Sequence, residues 1–123
     1  MLMANFKQHT SKQGTLFLAG KDAESNEALV AQVGKDEDVL HTSAPGSPFV
    51  NIKGKTKKED LKEAATFCAV YSREWKKNKK DVIVHVFKGK DIFKEKIMKQ
   101  GTFGVKKFKE IKVKKSYIEE WSK

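Results

Sequence analysis

Val82-Ile83-Val84-His85-Val86-Phe87 is apolar at every position except His85 and is rich in β-branched residues. A short run of this kind, with charged residues on both sides, predicts a central strand buried on both faces. The residues just before it predict a helix. Leu61, Ala64, Ala65, Cys68, Tyr71 and Trp75 recur on one helical face, and Thr56-Lys57-Lys58-Glu59 has the spacing of a capping box. The helix is expected to run through Trp75 and to end in the cationic stretch Lys76 to Lys80, which suits a helix C-terminus.

Further upstream, Phe49-Val50-Asn51-Ile52 and Val39-Leu40-His41 read as two short strands. Pro45-Gly46-Ser47-Pro48 joins them as a stiff turn, because its prolines cannot continue a ladder. Gly14 to Ala19 reads as a strand ending at Gly20. Asp22 then caps a helix that presents Asn26, Leu29, Val30 and Val33 inward and stops at Gly34. Downstream, a basic stretch reaches Lys99, and Phe103 to Lys107 and Glu110 to Lys114 alternate apolar residues with lysine as two further strands. Tyr117 to Trp121 fits either a last helical turn or a strap. The order β-α-β-β-α-β-β-β predicts an α+β fold, a mostly antiparallel sheet packed by two helices. It forms a single domain over 1–123, with 1–13 and 115–123 as loosely packed ends.

Charge is polarised along this frame. Residues 53–123 hold 22 Lys/Arg against 10 Asp/Glu, whereas residues 1–52 hold 4 against 6. A concentrated basic field attracts polyanions, because each neutralised phosphate releases counterions. Arg73 is the only arginine, so point-charge phosphate contacts with low sequence specificity are expected rather than bidentate guanine readout. The single cysteine, Cys68, excludes an internal disulfide and fits a reducing cytoplasm. No signal-peptide pattern or long apolar run occurs, and no membrane partner is expected.

Several segments share a pattern with a known family. Leu18-Ala19-Gly20-Lys21-Asp22-Ala23, with Asn26 six residues after Gly20, is one, and Asp36 to His41 leading into Ala44-Pro45-Gly46-Ser47 is another. Glu63-Ala64-Ala65 through Tyr71-Ser72, and Gly104-Val105 through Ile111-Lys112-Val113, complete the set. Together they resemble the NFACT-R family, the RNA-binding module of ribosome quality-control proteins. The chain departs from many members in having Val39-Leu40 rather than an aromatic residue ahead of His41, and Pro48 rather than His after Ser47. The resemblance implies binding of RNA, either tRNA or ribosomal RNA, by a stand-alone module. It does not imply the peptide-tailing activity of the large members.

Other chemistries are weaker readings. Gly101-Thr102-Phe103-Gly104 has the G-x-x-G form of KH loops but precedes a strand. Gly20-Lys21 lacks the further glycines of a nucleotide-binding loop. His41 with Asp38 and Ser47 supports an alternative small hydrolase or RNA-modifying enzyme, without a nucleophile elbow. A protein-interaction module is the third reading. Cys68 is expected to be buried, His85 to be a core histidine, and His9 to be structural or exposed. No metal spacing or cofactor motif is present. The expected RNA contacts are Lys21, Asn26, His41, Gly46, Ser47, Lys90, Lys94, Lys96, Lys99, Lys106 and Lys107. Of Phe93, Phe103 and Phe108, most are expected to lie in the core, and an exposed ring among them to stack a splayed base.

Overall fold

The computed structural model describes residues 6–123. Its elements are β1 (Lys7–Thr10), β2 (Leu16–Ala19), α1 (Ala23–Ala31), β3 (Asp38–Thr42), β4 (Val50–Ile52), α2 (Asp60–Val70), α3 (Arg73–Asn78) and β5 (Val82–Lys88). A 3-10 turn at Gly89–Asp91 leads to β6 (Ile92–Phe93), β7 (Gly104–Val105), β8 (Lys109–Val113) and α4 (Lys115–Trp121). The fold is α+β. Six strands form an antiparallel sheet in the order β1-β2-β4-β3-β5-β8, and β6 and β7 form a separate hairpin.

Elements pack on both faces of the sheet. Leu40, Val50, Ile52, Val82, Val84 and Val86 pack beneath α2, α3 and α4 with Ala64, Ala65, Phe67, Cys68 and Trp75. On the opposite face, Leu18, Val39 and Phe87 pack beneath Leu29 of α1 and Phe103 and Val105 of the small hairpin. One strand alternates between these two cores, as its two-residue period requires.

Several elements differ from the sequence reading. Among the described residues four helices are present rather than two, and they are divided between the two faces. The capping box at Thr56 to Glu59 does not form. Thr56 Oγ1 instead donates to Asp38 Oδ2 at 2.5 Å, and Asp60 Oδ2 accepts the Lys57 N–H at 2.8 Å. The long helix is broken after Val70. Ser72 Oγ donates to Ala69 O at 2.7 Å and accepts the Trp75 N–H at 3.1 Å, so it closes α2 and caps α3. Of the expected strand Phe103 to Lys107, only Gly104–Val105 forms one. This short strand, β7, folds back on β6, and β8 pairs with β5.

Both ends also carry ordered elements. Lys7-Gln8-His9-Thr10 has no hydrophobic alternation to mark it as a strand, yet it pairs along the whole of β2. Tyr117 to Trp121 belongs to a helix, and Ile118 is fully buried in the larger core. Strand β5 lies one strand in from the sheet edge rather than at the centre. Its Ile83 and His85 are only half-buried, because neither α1 nor the hairpin extends over them.

The burial of Ile118 predicts that α4 is integral to the fold. Ile118→Ala should lower the unfolding free energy by about 2–5 kcal/mol, read from the shift of a urea transition at unchanged slope.

Candidate nucleic-acid interface

The uncovered part of β3 and β5 is the floor of a cleft of about 850 Å³. Its walls are the Gly20-Lys21 turn, the Pro45-Gly46-Ser47 turn, the start of α3 and the loop at Gln100 to Phe103. Of the expected RNA contacts, Lys21, Asn26, His41, Gly46 and Ser47 converge here. Lys90, Lys94, Lys96, Lys99, Lys106 and Lys107 are exposed and do not line it.

Local chemistry shapes each wall. Asp22 caps α1 by accepting the Ser25 N–H at 2.8 Å, while Ser25 Oγ accepts the Lys21 and Asp22 N–H groups at 2.7 and 3.0 Å. Those hydrogen bonds hold the Asp22 carboxyl below its ordinary range. Asn26 Oδ1 accepts the Phe49 N–H at 3.3 Å and fills the space above Gly20, where a Cβ would lie 1.9 Å from it. Only glycine fits there. Gly46 has φ +94°, a left-handed conformation, and its carbonyl accepts the Arg73 N–H at 2.8 Å. The Pro-Gly-Ser turn is therefore tied to the first turn of α3.

Four cations, Lys7, Lys21, Arg73 and Lys76, line the cleft, against the single carboxylate of Asp22. Among the described residues, none of the four forms an ion pair. Burial, followed by the positive charges of Lys76 and Lys21, holds the Lys7 ammonium below its ordinary pKa. Lys7 also sits over the Tyr71 ring, 3.7 Å from its centroid. Lys7, Arg73 and Lys76 were not among the expected contacts. Arg73 and the Tyr71-Ser72 pair are visible in the sequence, but nothing in the order of residues brings Lys7 to them across the sheet.

His41 rises from β3 into the cleft. Its Nδ1 lies 2.8 Å from Thr42 O, so Nδ1 carries a proton and donates to that carbonyl. Burial lowers the pKa of the ring and keeps it neutral near pH 7, against the raising effect of the Thr42 carbonyl. The ring packs on Phe49 at 4.5 Å between centroids.

The trio of His41, Asp38 and Ser47 is not assembled. Alternation along β3 puts His41 on the α1 side with Val39, and Asp38 on the α2 side with Leu40. Asp38 is paired there with Lys88 at 3.0 Å. Ser47 Oγ is spent on the backbone, accepting the Thr42 N–H at 3.0 Å and donating to Pro48 O at 3.2 Å.

His85, opposite His41 across the β3–β5 ladder, also lines the cleft rather than the core. His9 is structural. Its Nε2 is 2.7 Å from Glu63 Oε2, and its ring packs 4.7 Å from that of Trp121. Lys94 is also committed within the fold. Its Nζ donates to Glu27 Oε2 at 2.6 Å and to Lys99 O and Thr102 O at 2.5 and 2.7 Å. Glu27 Oε2 accepts the Gly101 N–H at 2.7 Å as well, which ties the loop of the small hairpin to α1.

Four cations, a histidine and an amide thus share one cleft, a lining whose charge suits an anionic ligand. The sequence identifies the domain: residues 3–107 match the NFACT protein RNA binding domain, and the chain belongs to that family. Over 67 residues it is 42% identical to the archaeal Rqc2 homolog aRqcH of Methanocaldococcus jannaschii, a match covering 51% of this chain and 10% of that protein. Its fold resembles the C-terminal part of the fibronectin/fibrinogen-binding protein from Streptococcus suis, with a TM-score of 0.82 at 21% identity. That likeness covers 94% of this chain and 48% of the other. The chain thus spans about a tenth of the curated relative and half of the solved one. No helix among the described residues is long and apolar enough to cross a membrane.

The geometry makes two predictions. The Lys94 ammonium, then the Gly101 N–H, hold the Glu27 carboxyl below its ordinary value. A depressed carboxyl stabilises the fold above its unfolded-state pKa, and that contribution is lost as pH falls through the folded-state value. The stability advantage of the wild type over Glu27→Gln in urea should therefore be present at pH 7 and vanish on acidification below the carboxylate range. Cys68 is fully buried, and burial pushes its thiol up to about 12. Iodoacetamide should leave it unmodified in the native protein at pH 8 and label it only on unfolding.

Proposed function

We propose that the domain grips the sugar-phosphate backbone of a folded RNA, tRNA or a ribosomal surface, in the cleft between the Gly20 and Pro-Gly-Ser turns. The observation that carries this reading is the group of unpaired cations. The charges of Lys76 and Lys21 disfavour the charged form of Lys7 in the free protein, and a phosphate placed among them relieves that repulsion without breaking an ion pair. The neutral His41 Nε2 suits a ribose 2′-hydroxyl as donor, which is the group that separates RNA from DNA. The exposed lysines Lys90, Lys96, Lys99, Lys106 and Lys107 add a longer-range field that steers RNA toward the cleft.

The domain acts by binding rather than turnover. The separation of Asp38 from His41 and the engagement of Ser47 with the backbone support this reading. The name of the archaeal relative, an Rqc2 homolog, favours a cytoplasmic role in ribosome quality control.

Fluorescence anisotropy with labelled tRNA and a DNA duplex of matched charge, across a salt series, tests the proposal. Binding of tRNA should be tighter near physiological salt. Lys21→Ala and Arg73→Ala should each reduce the log–log salt slope by about 0.7–0.9. Lys94→Ala should leave that slope unchanged, because its ammonium is already spent on Glu27. His41→Ala should narrow the preference for RNA over DNA. Equal affinity for both polymers, with a slope untouched by the cleft variants, would overturn the assignment.

A further inference from the structure

Of the three rings in the basic segment, Phe93 and Phe103 are half-buried, and Phe108 is 49% exposed. An exposed phenyl ring ordinarily gains by turning inward, but this one lies flat on His85, with ring centroids 3.9 Å apart and 19° between the planes. His85 is fixed in turn. It faces Glu110 across the β5–β8 ladder, and its Nε2 lies 3.3 Å from Glu110 Oε2. Phe108 therefore has one face supported by a held imidazole. Among the described residues, no second ring or cation lies against its other face.

We infer that the Phe108–His85 stack is a nucleobase platform, on which one unpaired base of the bound RNA lies against the outer face of Phe108. The inference rests on the proposed binding of RNA in the cleft and adds a subsite to it. Two observations join the platform to that cleft. His85 belongs to both, since it supports Phe108 and lines the cleft floor beside His41. Lys106, Lys107 and Lys109, which flank Phe108 along the chain, are all exposed and suited to the phosphates on either side of a splayed nucleotide. A ring already immobilised by stacking loses little freedom when a base adds to it, and aromatic stacking accepts any base, in keeping with a lysine-dominated surface.

The test compares a stem-loop RNA with a fully paired RNA duplex of equal charge, using wild type, Phe108→Ala, Phe108→Trp and the cleft variant Arg73→Ala. Phe108→Ala is expected to weaken stem-loop binding by roughly five- to a hundredfold, with the salt slope and duplex binding unchanged. Phe108→Trp should retain affinity and show indole quenching on binding the stem-loop. Wild-type affinity for the stem-loop in Phe108→Ala, with loss in Arg73→Ala, would overturn the platform and leave the cleft standing. Equal loss on both RNAs would make Phe108 merely structural, or a protein-contact residue, and would also overturn the platform. No effect of either variant would overturn the RNA cleft together with its subsite.

Discussion

The register between β3 and β5 is the constraint on which the rest of the molecule depends. Val39 faces Phe87, Leu40 faces Val86, and His41 faces His85. Because side chains alternate at every residue, a slip of β3 by one position would move Leu40 out of the larger core and turn His41 toward α2. The same pairing that closes the hydrophobic core therefore sets the cleft floor. Burial of Leu40, Val84 and Val86 under α2 stabilises a register that brings two histidines side by side on the other face.

A sheet buried on both faces needs cover on both, and the chain provides it unevenly. On the smaller side, α1 is nine residues long and the hairpin has two-residue strands. They cover Leu18, Val39 and Phe87 but stop short of Ile83 and His85. A buried polar hub holds this cover in place. Asn51 is fully buried; its Nδ2 donates to Asp38 O and Ile52 O, and its Oδ1 accepts from Gln32 Nε2 at 2.9 Å. Glu37 adds Lys53 at 2.8 Å and the Gly34 and Gly54 N–H groups. Such a fully satisfied network specifies how the end of α1 sits on β3 and β4. The incomplete cover leaves a polar hollow floored by β3 and β5.

Binding surfaces for polyanions face a conflict, since cations gathered for a ligand repel one another without it. Here the conflict is contained by rigidity. Lys7 is carried on a strand paired along its length, Arg73 is anchored by the Gly46 carbonyl, and Lys21 follows a turn locked by Ser25. The backbones that carry these cations are thus held in place around the cleft. Lys94, at the start of the hairpin loop, has a different use. It spends its charge inside the protein, tying the loop to α1 through Glu27, and shows that a basic stretch in a sequence is not uniformly a ligand surface.

Residue order alone determined the α+β class, the Asp22-capped helix, the apolar strand Val82 to Phe87, the Pro-Gly-Ser turn, the burial of Cys68 and the family. These are local matters: hydrophobic period, capping chemistry and turn residues act within a few positions of one another. Lys21, Asn26, His41, Gly46 and Ser47 were legible for the same reason, because each sits in or beside a turn whose residues are distinctive. Tertiary structure alone decided that Lys7 joins Lys21 and Lys76, since β1 has no hydrophobic alternation and forms only because β2 offers it a ladder. It decided too that Thr56 bonds Asp38 rather than capping a helix, and that Lys94 is an internal tie. It parted Asp38 from His41 on opposite faces of one strand, and it left Phe108 outside on His85 while Phe103 went in. Each of these outcomes depends on which elements meet across the sheet. A charged or aromatic side chain gains or loses exposure through neighbours far away in sequence, and no local pattern encodes that.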